Sequence, residues 1–229
     1  MIVNPENTAA EGQVILIDKP LHWTSFDVVK KLKYALKIKK IGHAGTLDPL
    51  ATGLLILCTG KKTKSIEGYQ AQLKEYTGTI TLGATTPSFD LETTPEHLKS
   101  YEHITLKQCI DATNHFKGKI NQIPPAYSAI KKDGKRAYEL ARAGKEVKLK
   151  SREVEIYKFE ITRFALPEID FIIRCSKGTY IRTIANDFGH KLAVGGYLSA
   201  LRRTKIGDFD VAKASDLNDF VKSNNIERV

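Results

Sequence analysis

Apolar and polar positions along the chain change period repeatedly, and each change predicts an element. Residues 14–18 are a short apolar run stopped by Lys19 and Pro20, which predicts a buried strand. Thr24 or Ser25 can cap a helix running to about Lys37, with Phe26, Val29, Leu32 and Leu36 on one face. Residues 54–58 are apolar throughout and strand-sized, and 75–82 alternate Thr77, Thr79 and Thr81 against Tyr76 and apolar positions. Thr105 opens a further helix that Gly118 closes. The paired prolines of Gln122-Ile-Pro-Pro-Ala-Tyr-Ser128 exclude regular structure there. A short helix is expected at 137–143, strands at 154–164 and 169–175, and a helix at 182–192. A last helix is expected at 215–221, capped by Ser215, and the pattern assigns no element between the last two. Strand and helix intermix without a regular β-α-β rhythm, so the fold class is α+β with a mixed sheet.

A length of 229 residues suits one large domain, or one domain with a short appendage. No stretch approaches the roughly 20 apolar residues that span a bilayer, and residues 1–12 lack a basic-then-apolar leader pattern. A cytoplasmic address is the expectation. Cys58, Cys109 and Cys175 are odd in number and far apart, and the histidines are scattered, so no disulfide framework and no metal site is predicted.

Charge sharpens the picture. The formal net charge is +10, and it is clustered. Residues 131–152 hold nine Lys or Arg against three acids, and residues 30–40 hold six lysines and no acid. Clustering of this kind points to a polyanionic partner such as nucleic acid.

The most unusual segment is Gly42-His-Ala-Gly-Thr-Leu-Asp-Pro-Leu-Ala-Thr-Gly53. Its glycines and proline call for a tightly shaped loop, and Asp48 sits in it among Leu47, Leu50, Leu54 and Leu55. A carboxylate near a core needs a cation or donated hydrogen bonds. An isolated Asp-Pro is nonetheless most often a turn-shaping pair.

Taken with six further pieces in order, the segment resembles the TruB-type tRNA pseudouridine-55 synthases. Those pieces are Asp18-Lys-Pro20, Lys74-Glu-Tyr76, Leu82-Gly-Ala-Thr-Thr-Pro-Ser-Phe-Asp90, Gln122-Ile-Pro-Pro-Ala-Tyr-Ser-Ala129, Lys177-Gly-Thr-Tyr-Ile-Arg182 and Leu201-Arg-Arg203. The resemblance implies the pseudouridine synthase fold, with a mixed, mostly antiparallel central sheet, flanking helices and a basic mobile insert at about 122–152. It implies one catalytic domain over 1–229, with no complete C-terminal PUA domain in the roughly 20 residues after Phe209.

By the same resemblance Asp48 is the catalytic carboxylate, Arg182 the arginine that pairs with it, and Tyr76 the tyrosine that stacks on the target base and helps remove its C5 proton. His43, Tyr180, Leu201 and Lys19 join Tyr76 as substrate-binding residues. The implied substrate is the T arm and T loop of tRNA, bound with uridine 55 flipped out of its stack. Isomerisation changes no oxidation state, so no cofactor and no metal are expected. A monomer without an obligate protein partner and without membrane contact is expected too. Two other functions fit the same pieces: a non-catalytic RNA-binding or tRNA-folding protein, and a guide-RNA-dependent synthase of the related eukaryotic and archaeal branch.

Overall fold

A computed structural model of the protein describes residues 11–132 and 134–226. The fold is α+β with a central mixed sheet, and the chain divides into two compact units, one made of residues 1–76 and 201–229 and the other of 77–200.

The first unit holds β1 (Val14–Lys19), α1 (Ser25–Ala35), β2 (Ile41–His43), β3 (Ala51–Thr59), a 3₁₀ turn at Gly60–Ser65 and α2 (Ile66–Ala71). Its sheet runs in the order β12, β1, β3 and β10, with β2 beside β3 and β11 beside β10. Here β10 spans Gly196–Ile206, β11 Phe209–Asp210 and β12 Ser215–Asp216, and α6 covers Leu217–Ile226. β1 is antiparallel to β3, whereas β10 is parallel to it.

The all-apolar character of β3 has a plain cause: both of its faces are covered. Leu55 and Leu57 pack with Ile15, Val28, Leu32 and Phe220, while Leu54, Ile56 and Cys58 pack with Ala44 and Ile206 on the other side. Each fully buried leucine contributes about 1.5–3 kcal/mol.

α1 begins where expected, with Thr24 accepting from the Asp27 backbone N–H and Asp27 answering in a reciprocal cap. Its buried stripe is Val28, Val29, Leu32 and Leu36; Phe26, expected on this face, is 68% exposed. The last helix is capped by Asp216 rather than Ser215, its carboxylate accepting from the backbone N–H groups of Asn218 and Asp219. Asp outranks nothing in sequence here, but only Asp216 stands one residue before the first helical position.

The second unit contains α3 (Leu106–Asn114), β5 (Gly118–Gln122), the hairpin β6 (Lys131–Lys132) and β7 (Lys135–Arg136), and α4 (Ala137–Arg142). β8 (Arg152–Ala165), β9 (Glu168–Cys175) and α5 (Ile181–Lys191) follow. Strands β4 (Lys74–Leu82) and β10 run through both units, and within this one the order is β10, β4, β9, β8, β5. Phe159 packs on Phe116, Phe171 and Phe188 with ring centroids 5.6–6.0 Å apart, joining sheet to α5. Gly118 does not close α3, which ends at Asn114; its φ of +84° instead starts β5.

The unassigned stretch after α5 is a strand of 11 residues, β10. Its inward position 203 is an arginine, 1% exposed, which breaks the alternation that would mark a strand in sequence. No helix among the described residues is long and apolar enough to cross a membrane.

Candidate active site

The loop carrying Asp48 is held from several sides within the first unit. Ser25 Oγ accepts from the Leu47 backbone N–H at 2.9 Å and donates to the Leu47 carbonyl at 3.2 Å. The Asp48 carbonyl accepts from Ala51 N–H at 3.0 Å, and the Pro49 carbonyl accepts from His22 N–H at 2.8 Å. Both sides of the loop are thereby pinned to backbone.

Beneath it lies Lys19, completely buried. Its ammonium donates to the carbonyls of Trp23 at 2.6 Å and Pro20 at 2.9 Å, and reaches the Pro49 carbonyl at 3.5 Å. All three ammonium hydrogens have acceptors, so Lys19 sits under the loop as a brace; the contact with RNA expected of it is not available to its buried side chain. Burial pulls its pKa down to about 8; the Asp48 carboxylate opposes that shift and Arg203 adds to it.

Arg203 is the residue that sequence reading left without a role. Its guanidinium donates to the Leu54 carbonyl at 2.8 Å and the Gly45 carbonyl at 3.1 Å, and to the Tyr76 hydroxyl. Burial pulls it below the ordinary arginine range, while Tyr76 and Asp48 pull the other way. Arg203 thus joins the Gly45 turn, Tyr76 on β4 and the field of Asp48. The one signal for it in sequence was the doubled arginine after Leu201. The first of that pair, Arg202, does something else: it forks onto Asp18 at 2.6 and 2.9 Å across the sheet.

Gly53 makes the close strand approach possible. Its φ is +104°, and an added Cβ would lie 2.3 Å from the Arg203 carbonyl oxygen. Leu201 pairs with Ala51 and Arg203 with Gly53 in the β10–β3 register, so the glycine lets β10 deliver Arg203 under the loop.

His43 ends β2, and its Nδ1 is buried without a hydrogen-bond partner among the described residues. Burial lowers its pKa, Arg203 lowers it further, and the backbone of Gly45 works against both. The first unit therefore brings together Asp48, Tyr76, His43, Leu201 and Lys19 of the expected residues, with Arg203 added.

Tyr180 and Arg182 belong to the second unit, at the start of α5. The Gln122 side chain clamps Tyr180, donating to its carbonyl at 3.0 Å and accepting from its N–H at 2.8 Å. Arg152 lies 4.6 Å from the centre of the Tyr180 ring and donates to the Gly178 carbonyl. Arg182 is 3% exposed, donates to the carbonyls of Tyr127 at 3.0 Å and Ser88 at 3.2 Å, and lies 3.5 Å from the Asp90 carboxylate. One arginine so ties together three of the quoted pieces, those ending at Asp90, Ala129 and Arg182. The basic insert of this unit is anchored by Arg142, whose Nη2 and Nε donate to Glu92 at 2.6 and 3.0 Å.

A family model described as TruB family pseudouridylate synthase (N terminal domain) matches residues 33–181. A second, described as tRNA pseudouridylate synthase B C-terminal domain, matches 182–228. Their boundary falls at the first turn of α5. Curated relatives carry the name tRNA pseudouridine synthase B. The protein of Flavobacterium johnsoniae is 58% identical over 220 residues, covering 93% of this chain and 96% of the relative. That of Chloroherpeton thalassium is 50% identical over 217 residues, covering 93% and 90%. Among solved structures, the chain is similar to one in a Cbf5–Nop10–Gar1 complex, with a TM-score of 0.75 and 28% identity over 96% of this chain. It is similar also to one in an H/ACA RNP bound to a substrate RNA containing 2′-deoxyuridine, with a TM-score of 0.72 and 26% identity. The chain spans 56% and 55% of the lengths of those two.

Proposed function

The chain belongs to the TruB family of pseudouridylate synthases and isomerises uridine to pseudouridine in tRNA, and from that premise we propose that its target is uridine 55 of the T loop and that Asp48 is the catalytic carboxylate. The observation that carries the assignment is that Asp48 and Tyr76 both act on one buried cation, Arg203.

The reaction breaks the N1–C1′ bond, turns the freed uracil, and forms a C5–C1′ bond. The C5 proton leaves and N1 gains one, so the products balance without an external reactant. A positioned carboxylate acting at the ribose, a proton acceptor near C5 and a pocket that retains the uracil suffice. Asp48 supplies the first, as nucleophile or base at the sugar. Tyr76 supplies a ring that stacks on the base and offsets part of the few kcal/mol needed to unstack it. The guanidinium beside its oxygen favours negative charge there when the phenol relays the C5 proton.

By the family resemblance Arg182 is the arginine assigned to the Asp48 carboxylate, and His43, Tyr180 and Leu201 are the residues assigned to the base and the RNA. Lys19 acts on the substrate only through the loop it braces. The insert spanning 122–152 closes over the T arm, its lysines and arginines against phosphates. The enzyme works as a monomer in the cytoplasm.

The test is release of tritium from tRNA labelled at uridine C5. Release by the wild type and its loss in Asp48→Asn support the assignment; equal release from both overturns it. Release that depended on an added guide RNA would place the chain with the guide-dependent branch.

A further inference from the structure

The lysines of residues 30–40 take no part in the site just described, yet they lie on a formed surface. α1 buries only one stripe, and its remaining face carries an open groove lined by His22, Trp23, Lys30, Lys31 and Tyr34. A second hollow shares Tyr34 and is lined by Lys33, Lys37, Ile38 and Lys39. Tyr34 lines both hollows and is 72% exposed. Trp23 presents its ring to Lys31, whose ammonium is 5.8 Å from the ring centre.

Exposed aromatic rings between lysines are the arrangement that binds unpaired nucleotides: rings stack on bases and ammonium groups meet the flanking phosphates. One acid, Asp27, shares the groove with Lys30 and Lys31, so the lysines outnumber it. Asp27 is occupied at the helix start, accepting from Thr24 N–H at 3.0 Å and Thr24 Oγ at 2.5 Å. The groove also begins beside the catalytic loop, because His22, at its mouth, donates its N–H to the carbonyl of Pro49, next to Asp48. His22 thus ties the groove to the loop that carries Asp48.

We propose that this face of α1 is a second RNA-binding surface, taking an unpaired nucleotide of the same tRNA that lies outside the T arm, with its base on Tyr34 and its phosphates on Lys30 and Lys33. The proposal rests on the tRNA reading above. It differs from it in separating two substrates, full-length tRNA and an isolated T stem–loop, which offer the same uridine but only one of which has nucleotides for this surface.

Initial rates on both substrates test it, for the wild type and for Tyr34→Ala, Tyr34→Phe and the pair Lys30→Gln with Lys33→Gln. Tyr34→Ala raises KM for full-length tRNA about tenfold, the loss of one stacked base, and leaves KM and kcat for the stem–loop unchanged. Tyr34→Phe restores the wild-type KM, since the ring and not the hydroxyl carries the contact. The lysine pair also raises KM for tRNA alone and flattens its dependence on salt. Unchanged KM for tRNA in Tyr34→Ala overturns the proposal, and so does an equal rise on both substrates, which would place the surface under the T arm. A wild type inactive on both substrates would instead overturn the tRNA reading itself.

Discussion

Ser25 and Leu47 hold each other by two hydrogen bonds, one in each direction, across 22 residues of sequence. One hydroxyl at the start of α1 thus fixes the residue immediately before Asp48. Ser25→Ala leaves the buried N–H of Leu47 without its acceptor, at a cost of about 1–3 kcal/mol. Urea unfolding reads that cost directly. Because the same change loosens the loop, kcat falls further than stability alone accounts for, and an unaltered kcat in a folded variant would contradict the pinning.

Gly53→Ala is destabilising by about 2 kcal/mol or more, since a residue with a side chain neither adopts φ of +104° readily nor fits 2.3 Å from the Arg203 carbonyl. Nothing flexible stands in the way; the obstacle is backbone. A thermal unfolding comparison checks it, with Gly68→Ala as reference, where an added Cβ meets nothing within 4 Å.

Lys19 makes stability depend on pH in an unusual direction. Its pKa is about 8 folded against an ordinary 10.5, so between these values the unfolded chain binds more protons than the folded one. Stability conferred by this group therefore rises as pH increases from about 8 to 10.5, by up to about 3 kcal/mol, and is flat below. Cys58 and Cys109 act oppositely, because burial raises both thiols, Cys109 to about 11. Subtracting the pH profile of Lys19→Met isolates the lysine: the difference must rise with pH over that window. A flat difference would mean that the ammonium is not buried as the structure has it.

The three cysteines are free and buried, and none reacts with a thiol reagent at pH 8 in the folded protein. All three react on denaturation. Early reaction of Cys109 would reveal local opening around α3.

Much of the Asp48 loop was legible because its signals are covalent. Glycines at 45 and 53 adopt positive φ, and the proline after Asp48 restricts the backbone, so composition alone marks a shaped loop. Strands β1, β3, β8 and β9 were legible because burial on one or both faces leaves a readable alternation or apolar run. β10 was not, because its inward residue is the cation Arg203, and a charged group at a core position looks like a surface residue. Phe26 misled in the mirror-image way, as a large apolar residue on an exposed face. Lys19 was found by its motif, but only its three carbonyl partners show that it braces the loop from below.

Arg203 reaches back 158 residues to hold the Gly45 carbonyl. A ribosome synthesising this chain makes the Asp48 loop well before the strand that carries Arg203. Until β10 has emerged, the nascent protein displays the lysines of α1 with the loop still lacking its buried clasp. A product that stops short of β10 therefore lacks the arginine that clasps the Asp48 loop.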